Sequence, residues 1–221
     1  MKLLANALLK LIAGLMLAAL LLFAPAGTWH YPGGWLFCGL LFIPMLILGL
    51  ALYWKAPELL KKRLNTKETE ASQKSVVASS AVLFVVSFLA AGLDFRFGWT
   101  RVPDWLVCAA SAVQLGAYGL YAEVLRENAY LSRTVEIQEG QTVIDTGLYG
   151  IVRHPMYTAT ILMILAIPLV LGSWISFGLM LVYPIILLFR IRGEEALLES
   201  ELQGYREYKT RVRWRLIPYI W

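Results

Sequence analysis

Residues 156–189 read MYTATILMILAIPLVLGSWISFGLMLVYPIILLF, an apolar run that a single helical crossing of a bilayer cannot use up. A hydrocarbon core about 30 Å thick needs roughly 20 residues of helix. Gly172-Ser173 falls near the middle of the run and is good turn chemistry, so the stretch reads as two spans folded into a tight hairpin, with Pro168 and Pro184 as sites for kinks.

Working outward, four more apolar runs precede it, from about Leu3 to Ala24, Trp35 to Trp54, Val76 to Leu93 and Trp105 to Leu125. The chain as a whole is 59 % hydrophobic and only 16 % charged, against about a quarter charged in soluble domains. The runs are long, rich in Leu and Ala, and show no alternation at period two, which excludes a transmembrane β-barrel. The expectation is an all-α integral membrane protein of about six transmembrane helices. Residues 1–125 would form an N-terminal four-helix region and residues 126–221 a C-terminal region carrying the hairpin and an amphipathic tail, with no room for a large soluble domain.

Ala24-Pro25-Ala26 imitates a signal-cleavage site, but the preceding apolar run exceeds the 7 to 15 residues of a signal core and a second run follows at once, which favours a retained hairpin. Cys38 and Cys108 each sit inside an apolar run and are expected as buried free thiols. Six spans put both termini on one side. All of the 20 basic residues except Arg96 and Arg101 then fall on that side, Lys67 included, which marks it as cytoplasmic, at an inner or plasma membrane or the endoplasmic reticulum. The net charge of +5 is thus a topology signal whose nearest counter-charge is anionic lipid, and no nucleic-acid partner is expected.

On that side the segment VIDTGLYGIVRHPMY, residues 143–157, concentrates the chemistry. Pro155 suits the first position of a helix, so His154 is expected to cap the fifth span, and Gly147 and Gly150 allow a tight turn or a close ligand. A helix start presents free N–H groups to an anion, and Tyr157 shares a face with His154. Taken alone, Arg153 reads as a topology anchor and His154 as an interfacial histidine. At the exit of the sixth span, Arg190 and Glu194 are four apart and share a helix face. Beyond them Leu197, Leu198, Leu202, Tyr205 and Tyr208 suggest an amphipathic helix lying on the bilayer, with Glu199, Glu201 and Arg206 solvated. There is no Walker loop, no strand-borne G-x-G-x-x-G and no metal-ligand spacing, so a nucleotide-like cofactor would be held by membrane helices and no metal is expected.

Arg153-His154-Pro155-x-Tyr157, followed by Arg190, Glu194-Glu195 and Tyr205-x-x-Tyr208-x-x-Arg211-Val212, resembles the isoprenylcysteine carboxyl methyltransferase family and its phospholipid-methyltransferase relatives. The resemblance covers about the last 85 residues and implies a membrane-embedded transferase using S-adenosylmethionine. It implies cofactor contacts at Gln141, Thr142, Val143, Ile144, Tyr149, His154, Pro155, Met156, Tyr157 and Glu194, with Gln141 standing where the family often has histidine. Arg190 would hold the carboxylate of a lipid-attached or hydrophobic acceptor, and a short shift in alignment exchanges it with Arg192. For an amine acceptor, Glu194 or Glu195 would be the base. Membrane sterol reductases that use NADPH look similar over the same helices, although longer chains with more spans are usual there. A non-enzymatic scaffold or carrier is the third reading, in which Arg190 and Glu194 only anchor helix ends.

Overall fold

The computed structural model describes residues 2–65 and 71–221, and every regular element among them is helical. Lys67 lies outside the described residues. The helices are α1 (Lys2–Ala26), α2 (Pro32–Lys55), α3 (Pro57–Leu64), α4 (Ala71–Phe97), α5 (Asp104–Glu127), α6 (Pro155–Val170), α7 (Trp174–Met180), α8 (Tyr183–Glu201) and α9 (Tyr205–Arg211), with a 3-10 turn at Gly147–Gly150.

Among the described residues five segments are long and apolar enough to cross a membrane: Lys2–Ala26, Pro32–Lys55, Gln73–Phe97, Asp104–Glu127 and Trp174–Glu201. The expected fifth span, Pro155–Val170, is apolar but has only 16 residues, which spans about 24 Å at 1.5 Å per residue. Its ends are set by Pro155 and by a reversal at Leu171-Gly172-Ser173, where Gly172 has φ +83°. The turn therefore falls where the sequence placed it. α7 and α8 are separated by a break at Leu181-Val182, so Pro184 begins a helix and kinks none.

The polar connection after α2 holds a helix that hydropathy alone misses. In α3, Pro57 starts the helix, Glu58 lies in the first turn and Lys61, Lys62 and Arg63 in the last, an order that matches the helix dipole.

The core lies where α1 crosses α4 and where α5 packs on α6. Leu22, Phe23, Phe37, Phe88, Ile167 and Val170 form its centre. A Cβ at Gly92 would come within 2.5 Å of the Leu22 carbonyl, so only glycine lets α1 and α4 approach this closely. At the same pole Asp94 is fully buried and accepts hydrogen bonds from the Thr100 amide and hydroxyl and from the Ser173 hydroxyl. Tyr31 donates to the Leu171 carbonyl at 2.7 Å. Together these bonds pin the hairpin turn to the end of α4. Both cysteines are free, but only Cys38 is buried, and Cys108 faces outward from α5.

Candidate active site

At the opposite pole, α6 begins where the chain arrives from the 3-10 turn, and the local sequence forces that path. Gly147 has φ +51°, and the Glu127 carboxylate at the end of α5 lies where its Cβ would be. That carboxylate accepts from the Leu148 amide at 3.0 Å, closing the turn. Asn128 donates to the Tyr149 hydroxyl at 2.9 Å, and Tyr208 of α9 donates to the Tyr149 carbonyl at 2.7 Å. Burial raises the proton affinity of the Tyr149 and Tyr208 phenols, which stay neutral.

His154 is the N-cap of α6 by backbone position, as expected, but its side chain does not cap the helix. Its Nε2 lies 3.1 Å from Oε1 of Glu195, and Arg153 Nε donates to the same oxygen at 2.8 Å. Arg215 Nε donates to Glu195 Oε2 at 2.9 Å, so both carboxylate oxygens are occupied. Arg153 also donates to the Val212 and Arg213 carbonyls at 2.8 and 2.7 Å, and the amides of Arg153 and His154 bond to the Trp214 and Arg215 carbonyls. Arg153 and Glu195 are 6 % and 3 % exposed, respectively, which corrects two expectations. Arg153 is an interior strut and no surface anchor, and Glu195 is too fully engaged to serve as a base.

Glu194 faces differently. It accepts from the Tyr157 hydroxyl, which in turn accepts from Arg190 Nε at 3.1 Å. Arg190 further donates to the Arg133 carbonyl at 2.8 Å and to Gln73 at 3.4 Å. A cleft of about 110 Å³ opens beside this group. Of the residues carried over from the motifs, Gln141, Thr142, Val143, Ile144, Tyr149, His154, Met156, Tyr157, Arg190 and Glu194 all line it. Pro155 does not, being packed into the protein at the helix start. Arg192 is exposed and faces away, so of the two arginines only Arg190 reaches the cleft.

The tail also departs from expectation. Gly204, at φ +85°, turns the chain back, and Leu202, Tyr205, Tyr208 and Val212 bury themselves against Ile137, Val143 and Leu198. The apolar face of α9 is therefore covered by the loop of the cleft and does not lie on a bilayer. Glu199, expected as solvated, pairs with Lys209. Tyr205 lines the cleft, its phenol held protonated by burial, and its hydroxyl has no partner among the described residues. Sequence reasoning quoted this tyrosine as part of a motif but gave it no role. Asn128, Tyr130 and Glu136 of the cleft wall were likewise missed, because they lie in an irregular connection without a spacing signal.

This geometry can be set beside known proteins. Residues 108–200 match the isoprenylcysteine carboxyl methyltransferase (ICMT) family. The resemblance read from the motifs is met over that region, which contains both polar clusters. A Delta(14)-sterol reductase of Methylotuvimicrobium alcaliphilum is 22 % identical over 135 residues, 54 % of this chain and 32 % of that protein. A Delta(14)-sterol reductase of Mus musculus is 31 % identical over 91 residues, 40 % of this chain and 22 % of that protein. The chain thus spans no more than about a third of the length of these curated relatives.

Proposed function

We propose that the chain transfers a methyl group from S-adenosylmethionine to a lipid-attached or otherwise hydrophobic acceptor at the cytoplasmic face of a membrane. The observation that carries this reading is the convergence of the motif-derived positions, Pro155 excepted, on one cleft. They come from the connection after α5, the 3-10 turn, the start of α6 and the cytoplasmic end of α8, which sequence separates and the α6–α7 reversal brings together. With α6 counted as a short crossing, six spans put both termini and the cleft on the side that carries nearly all the basic residues.

The residues present fit the cofactor. Tyr205 offers a buried, unpartnered hydroxyl, Glu194 and Glu136 offer carboxylates, and Val143, Ile144, Leu197 and Leu198 offer apolar surface for a flat base. S-adenosylmethionine supplies an electrophilic methyl on a sulfonium. In-line displacement asks the protein chiefly to hold the acceptor atom in line, and a carboxylate acceptor needs positioning and no base. The planar fork of Arg190, already steadied by Tyr157, suits that task. For an amine acceptor Glu194 would take the proton, since both oxygens of Glu195 are occupied. A cleft of about 110 Å³ is smaller than the roughly 300 Å³ of small ligand sites, so binding requires the cleft to widen.

Calorimetric titration with S-adenosylhomocysteine tests the reading. The unmutated protein should bind, and Glu194→Ala and His154→Ala should weaken binding. No binding by the unmutated protein sinks it. The similarity to two Delta(14)-sterol reductases supports a second reading, reduction with NADPH. Competition decides: displacement of S-adenosylhomocysteine by S-adenosylmethionine and not by NADPH favours the methyltransferase, and the reverse favours the reductase.

A further inference from the structure

A second cavity, of about 450 Å³, lies among α1, α2, α3, α5 and α6. Leu8, Leu11, Met45, Leu48, Met163 and Ile164 give it an apolar wall, yet Lys10, Arg63 and Arg133 also line it. These three cations meet at one end. Lys10 donates to the carbonyl of Leu64, the neighbour of Arg63. Arg63 donates to the carbonyl of Ser132 at 2.9 Å, the neighbour of Arg133, and to the Tyr121 hydroxyl. The same guanidinium lies 3.9 Å from the sulfur of Met156, a residue of the cleft, so this end is the neck between chamber and cleft.

Among the described residues, no carboxylate pairs with Lys10, Arg63 or Arg133. Surrounding protein, reinforced by the charges of Arg63 and Arg190, pulls the proton affinity of Arg133 below its ordinary value. Lys10 and Arg133 are exposed and Arg63 is part-buried, so three cations with no carboxylate partner among the described residues gather at the mouth of an apolar chamber and attract an anionic ligand.

We infer that the chamber is a binding site for a lipid phosphate, with the hydrocarbon chain among α1, α2, α5 and α6 and the phosphate held at the neck by Arg63 and Arg133. A phosphate monoester carries about −1.5 to −2 charge and three acceptor oxygens, which answers three cations and two guanidinium forks better than one carboxylate does. The site does not depend on which cofactor the adjoining cleft takes.

Native mass spectrometry of the full chain with hexadecyl phosphate, hexadecanoate and hexadecanol tests the inference. Hexadecyl phosphate should bind about tenfold or more tighter than hexadecanol, and tighter than hexadecanoate. The double variant Arg63→Gln/Arg133→Gln should lose that advantage and keep hexadecanol binding, which shows an intact chamber. Gly49 lines the chamber and its Cβ direction is open, so Gly49→Phe should abolish binding of all three while S-adenosylhomocysteine still binds the cleft. Equal affinity for the three probes, a preference for hexadecanoate, or a double variant that keeps its phosphate preference would each overturn the site. Loss of S-adenosylhomocysteine binding in the unmutated protein would instead strike only the methyltransferase reading.

Discussion

Glu194 and Glu195 are adjacent in sequence, and the structure assigns them opposite duties that two substitutions should separate. Glu195→Ala leaves the Arg153 guanidinium buried without its carboxylate and removes an acceptor from His154 and Arg215. Removing one partner of a buried pair typically costs about 3–5 kcal/mol. Here the low end applies, because Arg153 keeps two carbonyl acceptors and the Arg215 side chain, 29 % exposed, can recover water. About 3 kcal/mol at ~2–4 °C per kcal/mol for a chain of this size lowers the melting temperature by roughly 6–12 °C. Glu194→Gln keeps an acceptor for Tyr157 at a part-buried position, so melting should move by no more than about 2 °C. The ligand response should invert: Glu194→Gln loses a charge-assisted bond and about tenfold in affinity for S-adenosylhomocysteine. Intrinsic fluorescence from the eight tryptophans follows the melt in detergent, and calorimetry follows the ligand. A Glu195→Ala melt within about 2 °C of the unmutated protein, or equal losses in both variants, would refute the assignment.

Three further outcomes follow from particular contacts. Tyr205→Phe deletes a hydroxyl with no partner, so stability should hold or rise by up to about 1 kcal/mol while S-adenosylhomocysteine affinity falls several-fold; a clear drop in melting temperature would mean the hydroxyl already has a partner. Gly147→Ala places a Cβ at positive φ against the Glu127 carboxylate and should cost at least ~1–2 kcal/mol by thermal melt, with Glu127→Ala restoring only part of it. Asp94→Asn retains the shape but cannot accept from all three donors at once, and about 1–3 kcal/mol should disappear from the same melt; a neutral result would remove Asp94 as the tie between α4 and the hairpin turn.

Hydropathy gave the helices because their apolar length is a bilayer signal, and Gly172-Ser173 gave the reversal because turn residues interrupted an otherwise continuous run. The cleft residues were legible through a motif whose spacing follows the start of α6. What stayed hidden depended on tertiary direction. Leu187, Ile191 and Glu195 are buried at successive intervals of four, so Glu195 continues an apolar stripe, and no pattern announces that Arg153 and Arg215 meet it there. The apolar face of α9 reads equally well as a membrane face or as a lid on a loop, and only the left-handed turn at Gly204 chooses. Arg63 sits in a charge run that resembles any cytoplasmic loop until α3 folds it toward α5.

The break at Leu181-Val182 divides α7 from α8 while both residues keep right-handed helical dihedrals. The angular setting of α8 is held at the end that carries the cleft, where Glu195 is gripped by three side chains. An extra residue in α7 can be absorbed at the break without disturbing the cleft. One inserted between Arg190 and Glu194 cannot, because it turns one relative to the other by about 100° and takes one of the pair away from Tyr157. Sequence length on the two sides of the break should accordingly tolerate very different amounts of change.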